Sequence, residues 1–464
     1  MEKPASLAAG TAAFPDAHEA FRRPGSRPIT HGELRRARVA GPLRRLARGR
    51  VALRLTDDLS TAVAIAVFDG AAEGMLLLPA EAGEEEVQRQ LAAANATVLV
   101  TDGAGRLDTV YPGDIFTVGG VDDLLRAEGV AATRPDPTST QWLIPTSGTT
   151  GTPKVVVHPF RSLTRTIRTD RAVPDRLVWG LAYGITRFAG VQVLLQSQLS
   201  GSPLIVPPQD ADLAGRVRAF AELGCTALSA TPTMWRQILM TPASAGLDLQ
   251  QITLGGEIAN DAILRAVARR WPNARITHIY ASTEAGVGFS VKDGRAGFPA
   301  AWLDHPPDGV QLAVDGRSVL RIRPIDAGQR MLDGPPLFDE QGFVDTGDVL
   351  RRDGDRYLFL GRENGAINVG GSKIQPEEVE QTLLDCPGVQ LAWVRGRPSP
   401  ITGMVVEAHI VQDASLPTDL ARRKEIADFC RQALPAHAVP TVIRFVDHIE
   451  LNQAGKTLRP AGTG

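Results

Sequence analysis

The sequence predicts an α/β protein in which a large N-terminal domain of mostly parallel sheets flanked by helices, with a β-rich subdomain, precedes a small mobile α+β C-terminal domain. Three observations carry that expectation. Short apolar runs alternate with helical periodicities through the first half of the chain, the pattern of a parallel sheet built from crossover units. Between about 305 and 360 the texture changes to short strands separated by Gly, Pro and Asp turns. At Asn364-Gly365 a turn dipeptide precedes a segment with strand and helix signals of its own. The expected division is therefore a loose leader over 1–27, a large domain over 28–363 and a small lid domain over 364–464.

The elements follow in order. Residues 1–27 are Ala-, Pro- and Gly-containing without clear periodicity. Thr30-His31-Gly32-Glu33 sets a hydroxyl three residues before a glutamate, the spacing of a capping box, and Leu34, Ala37, Leu43 and Leu46 continue it as an amphipathic helix. Val51 to Leu55 reads as a strand and an Ala-rich helix begins at about Leu59. Glu84 to Ala94 is helical, while Thr97 to Thr101, Gly201 to Val206 and Ala227 to Ser229 are strands. Val319 to Arg323 and Tyr357 to Leu360 belong to the β-rich part. Beyond the turn, Ile374 to Glu380 opens a helix with Pro376 near its first position and acids in the first turn, and Val405 to Val411 and Val442 to Val446 are strands.

Composition narrows the function classes. An apolar share of 43%, a charged share of 22% and a net charge of −2 give no global pull toward nucleic acid or an anionic membrane. The basic cluster from Arg35 to Arg50 lies in an Ala/Leu helical pattern and reads as a solvated face. Three widely spaced cysteines, Cys225, Cys386 and Cys430, make neither a disulfide framework nor a zinc site and fit a reducing cytoplasm. No signal peptide and no apolar run of about 18 residues is evident, so neither secretion nor a membrane span is expected.

Pro145-Thr146-Ser147-Gly148-Thr149-Thr150-Gly151-Thr152-Pro153-Lys154 concentrates hydroxyls, glycines and a lysine in one short stretch. Glycines let the main chain approach phosphate oxygens, successive N–H groups form an anion nest, and the lysine supplies a point charge. Taken alone, the segment is equally a polar turn between the strands ending at Ile144 and starting at Val155. It is not a Walker A loop, because Pro153 precedes the lysine and Val155 follows it.

Four later segments add what such a loop lacks: Gly255-Gly256-Glu257 after a strand, Tyr280-Ala281-Ser282-Thr283-Glu284 after another, Asp345-Thr346-Gly347-Asp348 before a β segment, and Asn452-Gln453-Ala454-Gly455-Lys456 near the end. Each alone has a plain explanation as a turn or a solvated tail. In this order, over about residues 30–460, they resemble the superfamily of adenylate-forming enzymes that comprises acyl-CoA synthetases, nonribosomal peptide adenylation domains and luciferases. His158 with Arg161-Ser162-Leu163 continues the match past the loop, and Gly361-Arg362 resembles the start of the hinge.

The resemblance implies ATP and Mg²⁺ as cofactors and a carboxylic acid as substrate. Thr149 and Thr150 would donate to the β- and γ-phosphates, with Thr146, Ser147, Gly148, Gly151 and Lys154 completing the loop. Gly255, Gly256 and Glu257 would line the adenine edge, Tyr280 with Ala281 would stack on its face, and Asp348 would accept from the ribose hydroxyls with Arg362 alongside. Thr283 would contact the α-phosphate and Glu284 would be the metal ligand. Lys456 would bridge the substrate carboxylate and the α-phosphate, stabilising charge in the transition state. Asn364 matches the pivot, about which the Gly370-Gly371-Ser372-Lys373 loop would replace Lys456 for a second half-reaction. Tyr183, Arg187 and Gly190 are assigned to the acid pocket.

Departures from the pattern are Val155 and Ala281, each where a glycine is usual, a short first lobe, and Thr186-Arg187-Phe188-Ala189-Gly190 at the gate. An Arg187 that faces the pocket favours a second anionic or polar group on the acid; an Arg187 in a structural ion pair does not. No amino-group-clamping Asp is evident, which favours aryl or short polar acids. The acceptor stays open between coenzyme A, a carrier-protein phosphopantetheine and an amine, and an unusual oxyacid remains a substrate alternative. A non-catalytic nucleotide-binding protein on the same fold is the reading of another class, and the pairing of Glu284 with Lys456 argues against it.

Overall fold

The computed structural model describes residues 3–40, 49–103, 111–126, 139–146, 154–167, 177–325, 328–400, 402–452 and 454–457. Two large sheets form its body. In one, the parallel strands Arg275–Ser282, Gln251–Gly255, Ala227–Ala230, Trp179–Gly180, Leu204–Ile205 and Glu19–Arg22 lie side by side, with antiparallel Gly286–Val291 and Ile29–Thr30 at the edges. The other orders Arg330–Met331, Val155–His158, Gln141–Pro145, Gly74–Leu77, Arg50–Arg54, Val98–Thr101 and Asp114–Thr117, again parallel apart from Val155–His158, which is antiparallel to both of its neighbours.

Buried strands of this kind read as continuous apolar runs, and Val51 to Leu53 and Val98 to Val100 are all inaccessible. The helix Asp58–Phe68 starts at Asp57, whose carboxylate accepts from the Ser60 N–H at 3.0 Å, and every residue from Leu59 to Phe68 is buried. A helix apolar on all sides belongs in a core. It shares one cluster with Phe188–Leu199 and with residues of both sheets, including Leu53, Ile144, Phe21 and Trp179. The capping box at the next helix, His31–Ala40, forms as its spacing predicts: Glu33 accepts from the Thr30 N–H at 2.9 Å and its own N–H reaches Thr30 Oγ1 at 3.3 Å.

The leader expected over 1–27 is corrected. Leu7–Gly10 is a short helix and Glu19–Arg22 is a strand of the large sheet, paired in parallel with Leu204–Ile205. Leu7, Ala20 and Phe21 are buried, and Asp69, wholly inaccessible, accepts from the Leu7 N–H at 2.5 Å and from Trp142 Nε1 at 2.8 Å. A two-residue apolar contact with a strand far along the chain leaves no local period, so sequence patterning could not register it.

The β-rich part is an antiparallel sheet of Phe298–Pro299, Arg356–Arg362, Val344–Asp353, Val319–Pro324 and Val310–Val314, whose register sets Asp348 opposite Arg362. The chain after it has its own apolar core, in which the helices Pro376–Asp385 and Leu420–Ala433 cover the strands Val389–Ser399, Gly403–Gln412 and Val442–Phe445. Pro376 stands in the first turn of its helix, as expected. Among the described residues, no helix is long and apolar enough to cross a membrane.

Candidate active site

Parallel strands present their carboxyl ends together, and that edge of the large sheet opens into a cavity of about 330 Å³. Gly255 and Gly256 leave one strand there, and Thr283 and Glu284 leave the next. Arg362 reaches the cavity from the antiparallel sheet, Thr146 from the base of the phosphate-loop segment, and Lys456 from the far end of the chain. Residues separated by more than three hundred positions thus line one space.

The terminal lysine is held there by its own loop. Asn452 Oδ1 accepts from the N–H groups of Ala454 at 2.9 Å and Lys456 at 3.1 Å, and a bridge between Leu451 and Thr457 closes the turn. Gly455 has φ +69°, a conformation that favours glycine, and a Cβ there would have to displace the flexible end of Met234, whose Cε lies 2.7 Å away. Thr231 donates its hydroxyl to the Gly455 carbonyl while capping the helix Pro232–Met240 through the Met234 N–H at 3.1 Å. Burial lowers the Lys456 pKa from its usual value, the Arg362 charge adds to that, and Glu257, Asp348 and Glu284 oppose it. Thr231→Val keeps the shape but removes both hydrogen bonds at about 1–2 kcal/mol. ATP–pyrophosphate exchange should fall about 5- to 30-fold, as measured beside an unchanged ATP affinity.

Glu257 has partners within the protein. Its carboxylate accepts from the Thr233 N–H at 3.0 Å and the Thr457 N–H at 3.4 Å, so it ties the lysine loop to a helix N-terminus. The positive end of the helix draws the carboxylate in that direction.

Tyr280 likewise has partners within the protein. Its ring stacks with Phe289 at 5.3 Å and with Phe359 at 5.3 Å, inside the aromatic cluster of the antiparallel sheet, while Ile279 and Ala281 line the cavity on either side of it. Burial and then the Asp348 charge push the phenol pKa well up, so the hydroxyl stays protonated and donates to Asp348 Oδ2. Asp348 Oδ1 accepts from Arg362 Nε at 3.1 Å, which places the expected ribose acceptor and its cation together.

Of the phosphate loop, Thr146 is buried at the cavity and donates its N–H to the Lys154 carbonyl at 2.7 Å, closing the loop's base. The Lys154 side chain is exposed. Ser147, Gly148, Thr149, Thr150 and Gly151 lie outside the described residues. Below the loop, His158 is buried and its Nδ1 lies 3.1 Å from Ser162 Oγ. Burial lowers it to about 4, with the Thr283 backbone in opposition, so a neutral ring supports the Thr283 segment.

Of the residues expected at the acid, Tyr183 and Arg187 line the cavity. Tyr183 Oη lies 3.5 Å from Ser229 Oγ, and burial raises its pKa. Arg187 combines both of the roles open to it, because it lines the wall while its Nη2 pairs with Glu81 Oε1 at 2.8 Å. Gly190 serves a different purpose: a Cβ there would collide with the Gly184 carbonyl oxygen, so glycine lets the helix Phe188–Leu199 abut the loop that carries Tyr183.

Asn364 is exposed, immediately after Glu363, which Arg317 Nη1 binds at 3.0 Å while its Nη2 holds Asp315 at 2.8 Å and Asp345 at 2.6 Å. Gly370, Gly371 and Lys373 are exposed on the small domain while Lys456 lines the cavity. Patterning alone missed Thr231, Glu81 and Arg317. The Thr231-Pro232 pair is a readable helix start, but nothing in it announces the distant Gly455 carbonyl.

A carboxylate with no ion pair among the described residues, Glu284 lines the cavity beside Thr283. One such oxygen ligand suits Mg²⁺, which takes most of its remaining ligands from water and phosphate rather than from a protein cage.

A family model described as AMP-binding enzyme matches residues 12–315, and one described as AMP-binding enzyme C-terminal domain matches residues 378–456. The 2-succinylbenzoate–CoA ligase of Bacillus licheniformis is 26% identical over 341 residues, 68% of either chain. The 4-hydroxybutyrate–CoA ligase 1 of Metallosphaera sedula is 29% identical over 353 residues, 68% of this chain and 60% of its own. In fold, the ATP-bound MatB of Rhodopseudomonas palustris is similar with a TM-score of 0.79 at 22% identity, over 98% of this chain and 97% of that one. With the two models covering both the large domain and the terminal lysine, the chain belongs to the AMP-binding enzymes, the adenylate-forming superfamily that its motifs resemble.

Proposed function

We propose that this enzyme activates an aryl or short polar carboxylic acid with ATP and passes the acyl group to a thiol, coenzyme A or a carrier-protein phosphopantetheine. The observation that carries the reading is the placement of Lys456 in the same cavity as Thr283, Glu284 and Arg362. A substrate carboxylate oxygen attacks the α-phosphorus, the bond to the β-phosphate bridging oxygen breaks, and pyrophosphate leaves with the electron pair. Two anions must meet in that step, so a cation placed between them stabilises the transition state more than the ground state. Mg²⁺ at Glu284 would neutralise the departing pyrophosphate. In the second step the thiol sulfur attacks the acyl carbonyl, loses its proton and displaces AMP.

Arg187 on the cavity wall supports a polar acid, and the named relatives act on a succinylbenzoate and a hydroxybutyrate. Three buried free thiols, Cys225, Cys386 and Cys430, suit a reducing cytoplasm. Pyrophosphate release measured over a panel of carboxylic acids, with and without coenzyme A, tests the reading. Release with an aryl or short polar acid, accelerated by coenzyme A, is expected. ATP binding with no release for any acid would instead support a nucleotide sensor.

A further inference from the structure

Two side chains that line the cavity carry buried N–H groups with no acceptor among the described residues. Trp179 lies in the middle of the large sheet, its main chain paired with Leu204 on one side and Ala227 on the other. It is 8% exposed and lines the cavity, yet its indole Nε1–H has no hydrogen-bond partner among the described residues. A buried donor without a partner is costly, and a Phe or Leu would fill a central strand position without that cost. The wall of the same cavity repeats the feature: Arg187 Nε is also buried and without a partner among the described residues, even though its Nη2 pairs with Glu81.

Charge points the same way. Among the described residues that line the cavity, Glu284 at the nucleotide end is the acid, against Arg187, Arg275, Lys292, Arg362 and Lys456, of which Arg187 is paired with Glu81 and Arg362 with Asp348. Such walls favour an acceptor oxygen and disfavour a donor or a cation.

We propose that Trp179 is a specificity-determining residue that reads an acceptor oxygen on the tail of the acid, so that the substrate is a hydroxy-, oxo- or dicarboxylic acid rather than a plain alkyl or aryl acid. The proposal rests on the reading that this cavity takes the acid to be adenylated. Sites built to bond a substrate oxygen discriminate strongly against analogues without it, because their own buried groups are then left unpaired.

The test measures pyrophosphate release for size-matched pairs of acids, with and without a distal hydroxy, oxo or carboxy group, on the wild type and on Trp179→Phe. The wild type should favour the best oxygen-bearing member of a pair by about 10- to 100-fold in kcat/KM. The ranking among hydroxy, oxo and carboxy acids identifies which oxygen is read. Trp179→Phe, checked for folding by its melting temperature and ATP affinity, should bring that ratio toward one by slowing the oxygen-bearing acid alone. A wild type indifferent to the distal oxygen overturns the proposal even if the variant does not fold, as does an unchanged ratio in a folded variant. Release without discrimination leaves the ligase reading standing, whereas silence with every acid removes both.

Discussion

Lys456→Ala should lower ATP–pyrophosphate exchange by at least about 100- to 1,000-fold while leaving ATP binding largely intact, because in the proposed mechanism the amine would act on charge that exists only during attack on the α-phosphorus. The lysine backbone supplies the hairpin's contacts with Asn452, and Gly455 supplies those with Thr231, so the variant keeps the loop and loses only the cation. Exchange kinetics beside equilibrium nucleotide titration separate the two effects. Exchange near the wild-type rate would remove Lys456 from the mechanism, and a parallel loss of ATP affinity would make it a binding residue.

Asp69→Ala should destabilise the protein by about 3–5 kcal/mol, read by urea unfolding, since it strands the Leu7 and Trp142 N–H groups in the core. The first of those bonds anchors the N-terminal segment and the second fixes Trp142, itself inaccessible. The effect carries a pH signature. Burial, against the opposing Leu7 and Trp142 donors and the Arg38 charge, raises the Asp69 carboxyl to about 6. An unfolded Asp titrates near about 3.9, so the native state holds the proton more tightly and the carboxyl's contribution is fully present below about pH 4. It is lost as pH rises through 6. The gap between wild type and variant should therefore be widest in acid and narrow toward neutrality; a gap that widens with pH would contradict the assignment.

Much of this molecule was legible before its structure. Apolar runs such as Val51 to Leu53 and Val98 to Val100 are continuous because their strands are covered on both faces, and the capping box at Thr30 and Glu33 is a local device that forms as spelled. The motif residues Thr283, Glu284, Arg362 and Lys456 do line one cavity. What escaped were relationships set by tertiary partners. Tyr280 resembles a nucleotide-stacking residue, and its ring contacts with Phe289 and Phe359, which come from other strands, could not be read from its motif. Glu257 looks like part of a Gly-Gly turn, and its destination is fixed by a helix start and a tail loop that no spacing connects. Glu19–Arg22 pairs with Leu204–Ile205, and two buried side chains cannot announce a strand.

The ion pairs just ahead of Asn364 carry a mechanical consequence. Arg362 is fastened to Asp348 and Glu363 to Arg317, so the connecting chain is clamped to the large domain up to that point. On the proposed hinge, a swing of the small domain would take its torsion from Asn364 onward, and the same Asp348 that would grip the sugar also pairs with the frame against which that swing would turn. Departure of the nucleotide would thus be felt first at the axle.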